Sequence, residues 1–159
     1  MSLLGRIGIF LFACAIALIS LGMAQSARER SFVGTWRLVN SPSYEGPAPF
    51  ICGRECTITL DGNALVVKTR AESETYIPGR PTKKTVELSN TITIEITTVT
   101  EWDKSTLVIT RTATSAGSQS VSKLTSRLTV QGDRLIIEVT PRQDRSGSGK
   151  SEFTYTRVK

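Results

Sequence analysis

The chain has 159 residues, with 20 basic and 14 acidic side chains, a formal net charge of +6 and no histidine. Without histidine it can form neither a Ser-His-Asp nor a Cys-His catalytic site, and no imidazole can bind zinc, copper or haem. The basic residues are dispersed and only 6% of residues are aromatic, which does not fit the stacking surface of a nucleic-acid-binding protein.

The N-terminal segment is typical of a signal peptide. A single Arg6 precedes an apolar run over residues 7–21, and Gly22 and Ala24 then supply the small residues that signal peptidase requires. We therefore expect residues 1–24 to be removed and residues 25–31 to form a polar leader. The alternatives are an uncleaved anchor and acylation at Cys14. The mature protein should be exported, periplasmic or secreted, with no membrane span and as a monomer.

Two cysteines remain in the mature part, Cys52 and Cys56. An even pair in an oxidising compartment predicts a disulfide, and Gly53 permits the turn that a bridge over four residues requires. A metal site is the alternative, but two thiolates without histidine leave a zinc ion short of ligands. We expect no metal and no cofactor.

The rest of the chain predicts an all-β domain over residues 32–159. Its apolar segments are short, rich in threonine and other β-branched residues, and separated by turn residues, and none shows helical periodicity. The predicted strands are 34–40, 55–60, 64–70, 82–88, 91–101, 106–114, 120–130, 134–140 and 151–158.

Short turns join several of these strands in the order expected of a meander. Three of them have similar sequences, Asp61-Gly62-Asn63, Asp103-Lys104-Ser105 and Gln131-Gly132-Asp133. Because no crossover helix is predicted, the strands should be antiparallel. The pattern predicts an up-and-down β-barrel of about 8–10 strands, with a two-sheet β-sandwich as the alternative.

Two longer connections are rich in proline. Residues 41–50 contain Pro42, Pro47 and Pro49, and residues 72–84 contain Pro78 and Pro81. Proline excludes a regular helix from residues 41–50, so we predict an extended loop there, and residues 72–84 are predicted as a second long connection. They could border an opening of the barrel or be passive surface loops.

The two ends of the domain resemble those of a known family. Gly34 and Trp36 form a Gly-x-Trp motif in the first strand, and Tyr155-Thr156-Arg157 lies in the last. This pattern is similar to lipocalins and fatty-acid-binding proteins, and above all to small bacterial lipocalin-like domains, since a proline-rich loop stands where fatty-acid-binding proteins have two helices. The resemblance implies a barrel that binds small, mostly apolar ligands without catalysis.

If the first and last strands pair, Arg157 can lie over the Trp36 indole and close one end of the barrel. Arg111 shares a strand face with Leu107 and Ile109, so it points either into the barrel or, through a bulge, outward. An inward Arg111, with Tyr155 and Arg157, would suit a carboxylate-bearing ligand. These three residues are the predicted ligand-binding residues, although we favour a structural role for Arg157, with Trp36 and Gly34.

Three classes of function are open to such a barrel. The favoured one is non-catalytic binding of a small apolar or anionic ligand. The second is a filled barrel that acts through its surface, as an inhibitor or an envelope interaction protein, because about eight strands enclose room only for side chains or one small ligand. An enzyme would have to use carboxylates, and Glu95 and Glu101 follow only an exposed pattern. We expect no catalytic residue.

Overall fold

The computed structural model describes residues 27–40, 51–89, 92–115, 121–142 and 149–159. The chain divides into two compact units, Met1–Ser31 and Phe32–Lys159. In the first unit the described residues, 27–31, are helical. The predicted signal peptide, its cleavage site and Cys14 lie outside the described residues. Within the described ranges, no helix is long and apolar enough to cross a membrane.

The second unit is built from antiparallel strands, and ten are described. They are β1 Gly34–Asn40, β2 Glu55–Asp61, β3 Ala64–Lys68, β4 Ser73–Tyr76, β5 Thr82–Ser89, β6 Ile92–Asp103, β7 Thr106–Ser115, β8 Val121–Gln131, β9 Arg134–Arg142 and β10 Ser151–Arg157.

These strands form one sheet in the order β4-β3-β2-β1-β10-β9-β8-β7-β6-β5. Neighbouring strands in the sheet are also neighbours in sequence, except at the pairing of β1 with β10. In that pair Trp36 lies opposite Arg157 and Leu38 lies opposite Tyr155. The sheet curls into a barrel-like shape, which confirms the predicted up-and-down meander in preference to a two-sheet sandwich.

The segment 72–84 differs from the sequence prediction. We expected one long connection, whereas residues 73–76 form β4, paired with β3. Only a short connection then leads to β5. Within this connection the amide of Gly79 donates to the carbonyl of Thr100 at 2.8 Å. Ser-Glu-Thr-Tyr has no apolar run, so the pattern of apolar residues does not predict β4. The other proline-rich loop, residues 41–50, lies outside the described residues.

The three similar turns share one backbone feature. Each consists of two residues, and the first of them has a positive φ: 61° at Gly62, 55° at Lys104 and 62° at Gly132. This is the pattern of a type II′ turn, whose twist matches that of the flanking strands. Glycine adopts this φ without strain, whereas Lys104 does so at an energetic cost.

Candidate functional site

The inner face of the barrel is well filled at one end. Both Trp36 and Phe32 are fully buried there. The ring of Phe32 meets that of Trp102 edge-on, with centroids 5.6 Å apart. Two successive layers of inward side chains are also buried; they contain Leu107, Leu128, Ile137 and Phe153, and then Ile109, Ser126 and Val139.

The next layer is more open to solvent. It contains Arg111, which lies opposite Thr98 on β6 and Leu124 on β8, and all three are half-buried. One layer further along, Ala113 is half-buried and Ser122 is exposed. The inner face therefore opens at the level of Arg111, and three of the side chains around that opening, Thr98, Ala113 and Ser122, are small.

Arg111 joins Glu74 and Tyr76 of β4 in a charged cluster. Its Nη2 donates both to Glu74 Oε2 and to the hydroxyl of Tyr76, and that hydroxyl donates to the same Glu74 oxygen. The guanidinium also lies 5.8 Å from the centre of the Tyr76 ring. Because β4 and β7 are far apart in the order of the sheet, this cluster spans the inside of the barrel. We call these three residues the inner polar cluster.

The electrostatics of the inner polar cluster are balanced. The Arg111 and Glu74 side chains form an ion pair and are only 23% and 28% exposed. Burial raises the pKa of Tyr76 above its ordinary range, and the Arg111 cation offsets only part of that rise. The Tyr76 hydroxyl therefore stays neutral, and it donates one hydrogen bond, to Glu74, and accepts one, from Arg111. Such an arrangement suits holding a polar group rather than activating one.

Arg157 lies at the filled end of the barrel. Its guanidinium carbon is 4.4 Å from the centre of the Trp36 ring, and its Nη1 donates to the carbonyl of Val33. The Trp36 indole donates to the carbonyl of Phe32 at 2.8 Å. Gly34 has φ of 147°, and a Cβ there would come within 2.8 Å of Arg157 Nη1. Glycine at position 34 thus makes room for the guanidinium.

Tyr155 contacts the disulfide loop. Cys52 and Cys56 are bridged, with their Cα atoms 4.8 Å apart, which confirms the predicted disulfide. Gly53 has φ of 57° in the intervening turn, and its carbonyl accepts a hydrogen bond of 2.9 Å from the Tyr155 hydroxyl. Burial raises the pKa of Tyr155, so its hydroxyl also remains neutral.

The three predicted ligand-binding residues thus have separate partners. Arg111 pairs with Glu74, Arg157 lies on Trp36, and Tyr155 donates to Gly53. The pairing of β7 with β6 and β8 has no register shift, so Arg111 shares the inner face with Leu107 and Ile109.

Sequence reasoning missed Glu74 and Tyr76, the two partners of Arg111. The available signal was the pair of strand-favouring residues Thr75 and Tyr76, which precede the turn residues Pro78 and Gly79.

A separate groove of about 920 Å³ lies beside the disulfide, lined by residues 53–57 and 68–72. Its lining carries basic side chains at Arg54, Lys68 and Arg70 and acidic ones at Glu55 and Glu72. Glu55 is paired with Arg37 at 2.9 Å. The mixed charge favours no one class of ligand. Across the part of the chain that the structure describes, no group of three potential metal ligands occurs.

No protein-family model and no curated protein matches the sequence significantly. Solved structures do match. Zebrafish ileal bile acid-binding protein complexed with cholic acid is 14% identical, with a TM-score of 0.54 over 80% of this chain and 99% of that chain. The fatty acid transporter REP1-NXSQ is 14% identical, with a TM-score of 0.51 over 80% of this chain and 96% of the transporter.

A secretory abundant heat soluble protein from Ramazzottius varieornatus is also similar. It is 14% identical, with a TM-score of 0.53, and the comparison covers 80% of this chain and 96% of the other. At such identities the likeness concerns the fold. The domain has the β-barrel fold of fatty-acid- and bile-acid-binding proteins and related lipocalin-like barrels.

Proposed function

We propose that this protein is an exported, non-catalytic binding protein that holds a small, mostly apolar ligand on the inner face of its barrel. The ligand's apolar part would lie against the half-buried side chains around the opening, and its polar head would contact the inner polar cluster. The observation that carries the proposal is the change along the inner face from buried layers to the half-buried layer of Arg111, Thr98 and Leu124.

The comparisons with solved structures support this function. Structures of the same fold include a bile acid-binding protein complexed with cholic acid and a fatty acid transporter. Both ligands are amphipathic, with a large apolar body and one charged end. Binding sites of this kind are concave and mostly apolar, with a few polar groups that orient the ligand. In this protein the inner polar cluster would supply those polar groups.

The proposal is tested with an uncharged fluorescent dye, N-phenyl-1-naphthylamine, and a matched pair of variants. Ala113→Trp places a large ring at the opening, whereas Thr114→Trp places the same ring on the neighbouring exposed residue of the other face. We expect the wild type and Thr114→Trp to bind the dye alike and Ala113→Trp to bind it at least about tenfold more weakly, a loss of about 1.4 kcal/mol.

Equal binding by both variants would place the dye elsewhere, and no binding by the wild type would favour the filled barrel that acts through its surface. Native mass spectrometry of protein purified from its own cells would show any ligand that it retains.

Export forms a separate part of the proposal. It is supported by the apolar N-terminal segment and by the Cys52–Cys56 disulfide, since disulfides persist in oxidising compartments. We expect N-terminal sequencing of the exported protein to start at Gln25. A chain that retains Met1, or one acylated at Cys14, would contradict this part of the proposal while leaving ligand binding open.

A further inference from the structure

We propose that Glu74 makes the inner polar cluster select ligands with an uncharged polar head and reject free carboxylates. This inference rests on the proposed ligand-binding function and names the class of ligand that the site accepts. It follows from the pairing of the one arginine on the inner face of β7 with a carboxylate of the protein itself.

The charge of Arg111 is already neutralised where a ligand would meet it. Glu74 Oε2 accepts hydrogen bonds from both Arg111 and the Tyr76 hydroxyl, so the carboxylate lies where a bound anion would be expected. Both charged side chains are mostly shielded from water. The pair is therefore less screened than an ion pair on the outer surface such as Lys83 with Glu95, whose side chains are 67% and 50% exposed.

A ligand carboxylate could reach Arg111 only at a cost. It would either displace Glu74, leaving a half-buried carboxylate without its cation, or lie beside Glu74 as a second negative charge at the same guanidinium. Both arrangements are unfavourable, because like charges at short distance repel and an unpaired buried charge is poorly solvated. The structure of the cluster thus opposes the ligand charge that an isolated arginine would attract.

An uncharged head meets neither cost. A hydroxyl or amide can donate to the Glu74 carboxylate and accept from the Arg111 guanidinium while the ion pair stays intact. Thr82 of β5 lies opposite Thr98, in the same layer as Arg111, and Lys84 lies on the same face one layer nearer the opening. Because Lys84 is exposed, water screens its charge. The favoured ligand is therefore an apolar molecule with a hydroxyl or amide end, such as a long-chain alcohol.

The experiment compares two competitors of equal chain length, decan-1-ol and decanoate, for displacement of N-phenyl-1-naphthylamine at neutral pH. We expect the wild type to bind the alcohol at least about tenfold more tightly than the acid. Glu74→Gln keeps the shape of the side chain and removes its charge, which frees the guanidinium for a ligand anion. It should tighten decanoate binding roughly 10- to 100-fold and change decanol binding little.

Two further variants locate the effect. Glu101→Gln removes the same charge from an exposed position on the outer face of β6, and it should leave both affinities at their wild-type values. The double variant Glu74→Gln with Arg111→Gln should lose the gain in decanoate binding, because the gain depends on the freed guanidinium. Circular dichroism before titration establishes that each variant is folded.

The outcomes separate this inference from the proposed function. Preference of the wild type for decanoate over decanol would overturn the role of Glu74 and leave ligand binding in place, and this comparison needs no variant. An equal gain of decanoate binding in Glu101→Gln would overturn it as well, since the effect would then be one of net charge. A wild type that binds neither the dye nor either competitor would overturn the proposed function and this inference with it.

Discussion

Gly34, Trp36 and Arg157 show how single residues hold the filled end of the barrel. The guanidinium lies between the Trp36 ring and the Val33 carbonyl, and it fits there because position 34 carries no Cβ. A cation over a desolvated indole is worth about 2 kcal/mol, and the buried ring itself contributes more through the apolar area it removes from water. These contacts link the two ends of the domain.

Truncation of the tryptophan should be far more damaging than loss of the arginine's charge. Trp36→Ala removes a fully buried ring and should lower the free energy of unfolding by about 3–5 kcal/mol. Arg157→Met keeps an unbranched apolar stem over the ring and loses the cation–π contact, so we expect a loss of about 1–2 kcal/mol. Urea denaturation followed by circular dichroism measures both values.

The control for Arg157→Met is Arg37→Met on the same strand pair. The Arg37 side chain is 62% exposed and pairs with Glu55 of β2, which is 49% exposed, so its loss should change stability by less than about 1 kcal/mol. If Trp36→Ala and Arg157→Met both unfold like the wild type, the β1–β10 pairing does not hold the barrel. If Arg157 instead anchors a ligand, Arg157→Met should keep its stability and lose affinity for decanoate.

Tyr76 and Tyr155 should resist ionisation in the folded protein. Burial raises both pKa values above the ordinary value of about 10, whereas both hydroxyls ionise normally in the unfolded chain. Below pH 10 both states hold these protons, so the effect is absent. As the pH rises past 10, only the unfolded state releases them, and the stability of the fold falls.

Absorbance at 295 nm tests this in the variant Tyr44→Phe, which retains only these two of the three tyrosines. The native variant should show almost no tyrosinate between pH 9.5 and about 11, while the same variant in urea titrates normally near pH 10. Normal titration of the native variant would mean that the two hydroxyls are accessible to solvent.

Among the elements, the turn between β6 and β7 offers a specific gain in stability. Lys104 adopts φ of 55°, which glycine adopts freely at the matching positions 62 and 132. Lys104→Gly should therefore raise the free energy of unfolding by about 1 kcal/mol, and Lys104→Ala, which keeps the strain, should not. Thermal melting of both variants makes the comparison. A lower melting temperature for Lys104→Gly would show that the turn depends on the lysine side chain.

Most strands could be predicted from sequence because their signals are local. The Gly62 and Gly132 turns are specified by two or three adjacent residues, and the alternation of apolar residues beside them fixes which side chains point inward. The pairing of β1 with β10 was also predicted, from the matching residues at the two ends. β4 was not, since four polar and aromatic residues show no apolar periodicity.

The candidate site could be predicted only in part, because only some of its features have a local signal in the sequence. The position of Arg111 on the inner face follows from its spacing to Leu107 and Ile109 within one strand. Its pairing with Glu74 joins residues that are 37 positions apart on strands that are not neighbours in the sheet. No local pattern encodes such a contact, because it depends on how far the sheet curls. The sequence alone therefore suggested a free cation where the structure has an ion pair.

At the scale of the whole molecule, protection of the backbone should follow the order of strands. β9 and β10 each have a paired neighbour on both sides, whereas β4 and β5 are the terminal strands. Because β9 and β10 are also the two middle strands of this order, hydrogen exchange should be slowest there and at least roughly tenfold faster in β4 and β5. Exchange followed by mass spectrometry of peptides measures this difference. Uniform protection of all ten described strands would show that β4 and β5 have further partners.

The terminal position of β4 and β5 also bears on how the protein avoids aggregation. A terminal strand offers its outer row of backbone N–H and C=O groups to strands of other chains, and long, flat, apolar edges invite such pairing. Here β4 has only four residues, β5 carries Lys83 and Lys84, and prolines 78 and 81 lie between the two strands. Short length, positive charge and proline each oppose the addition of a foreign strand, so these edges should disfavour self-association at high concentration.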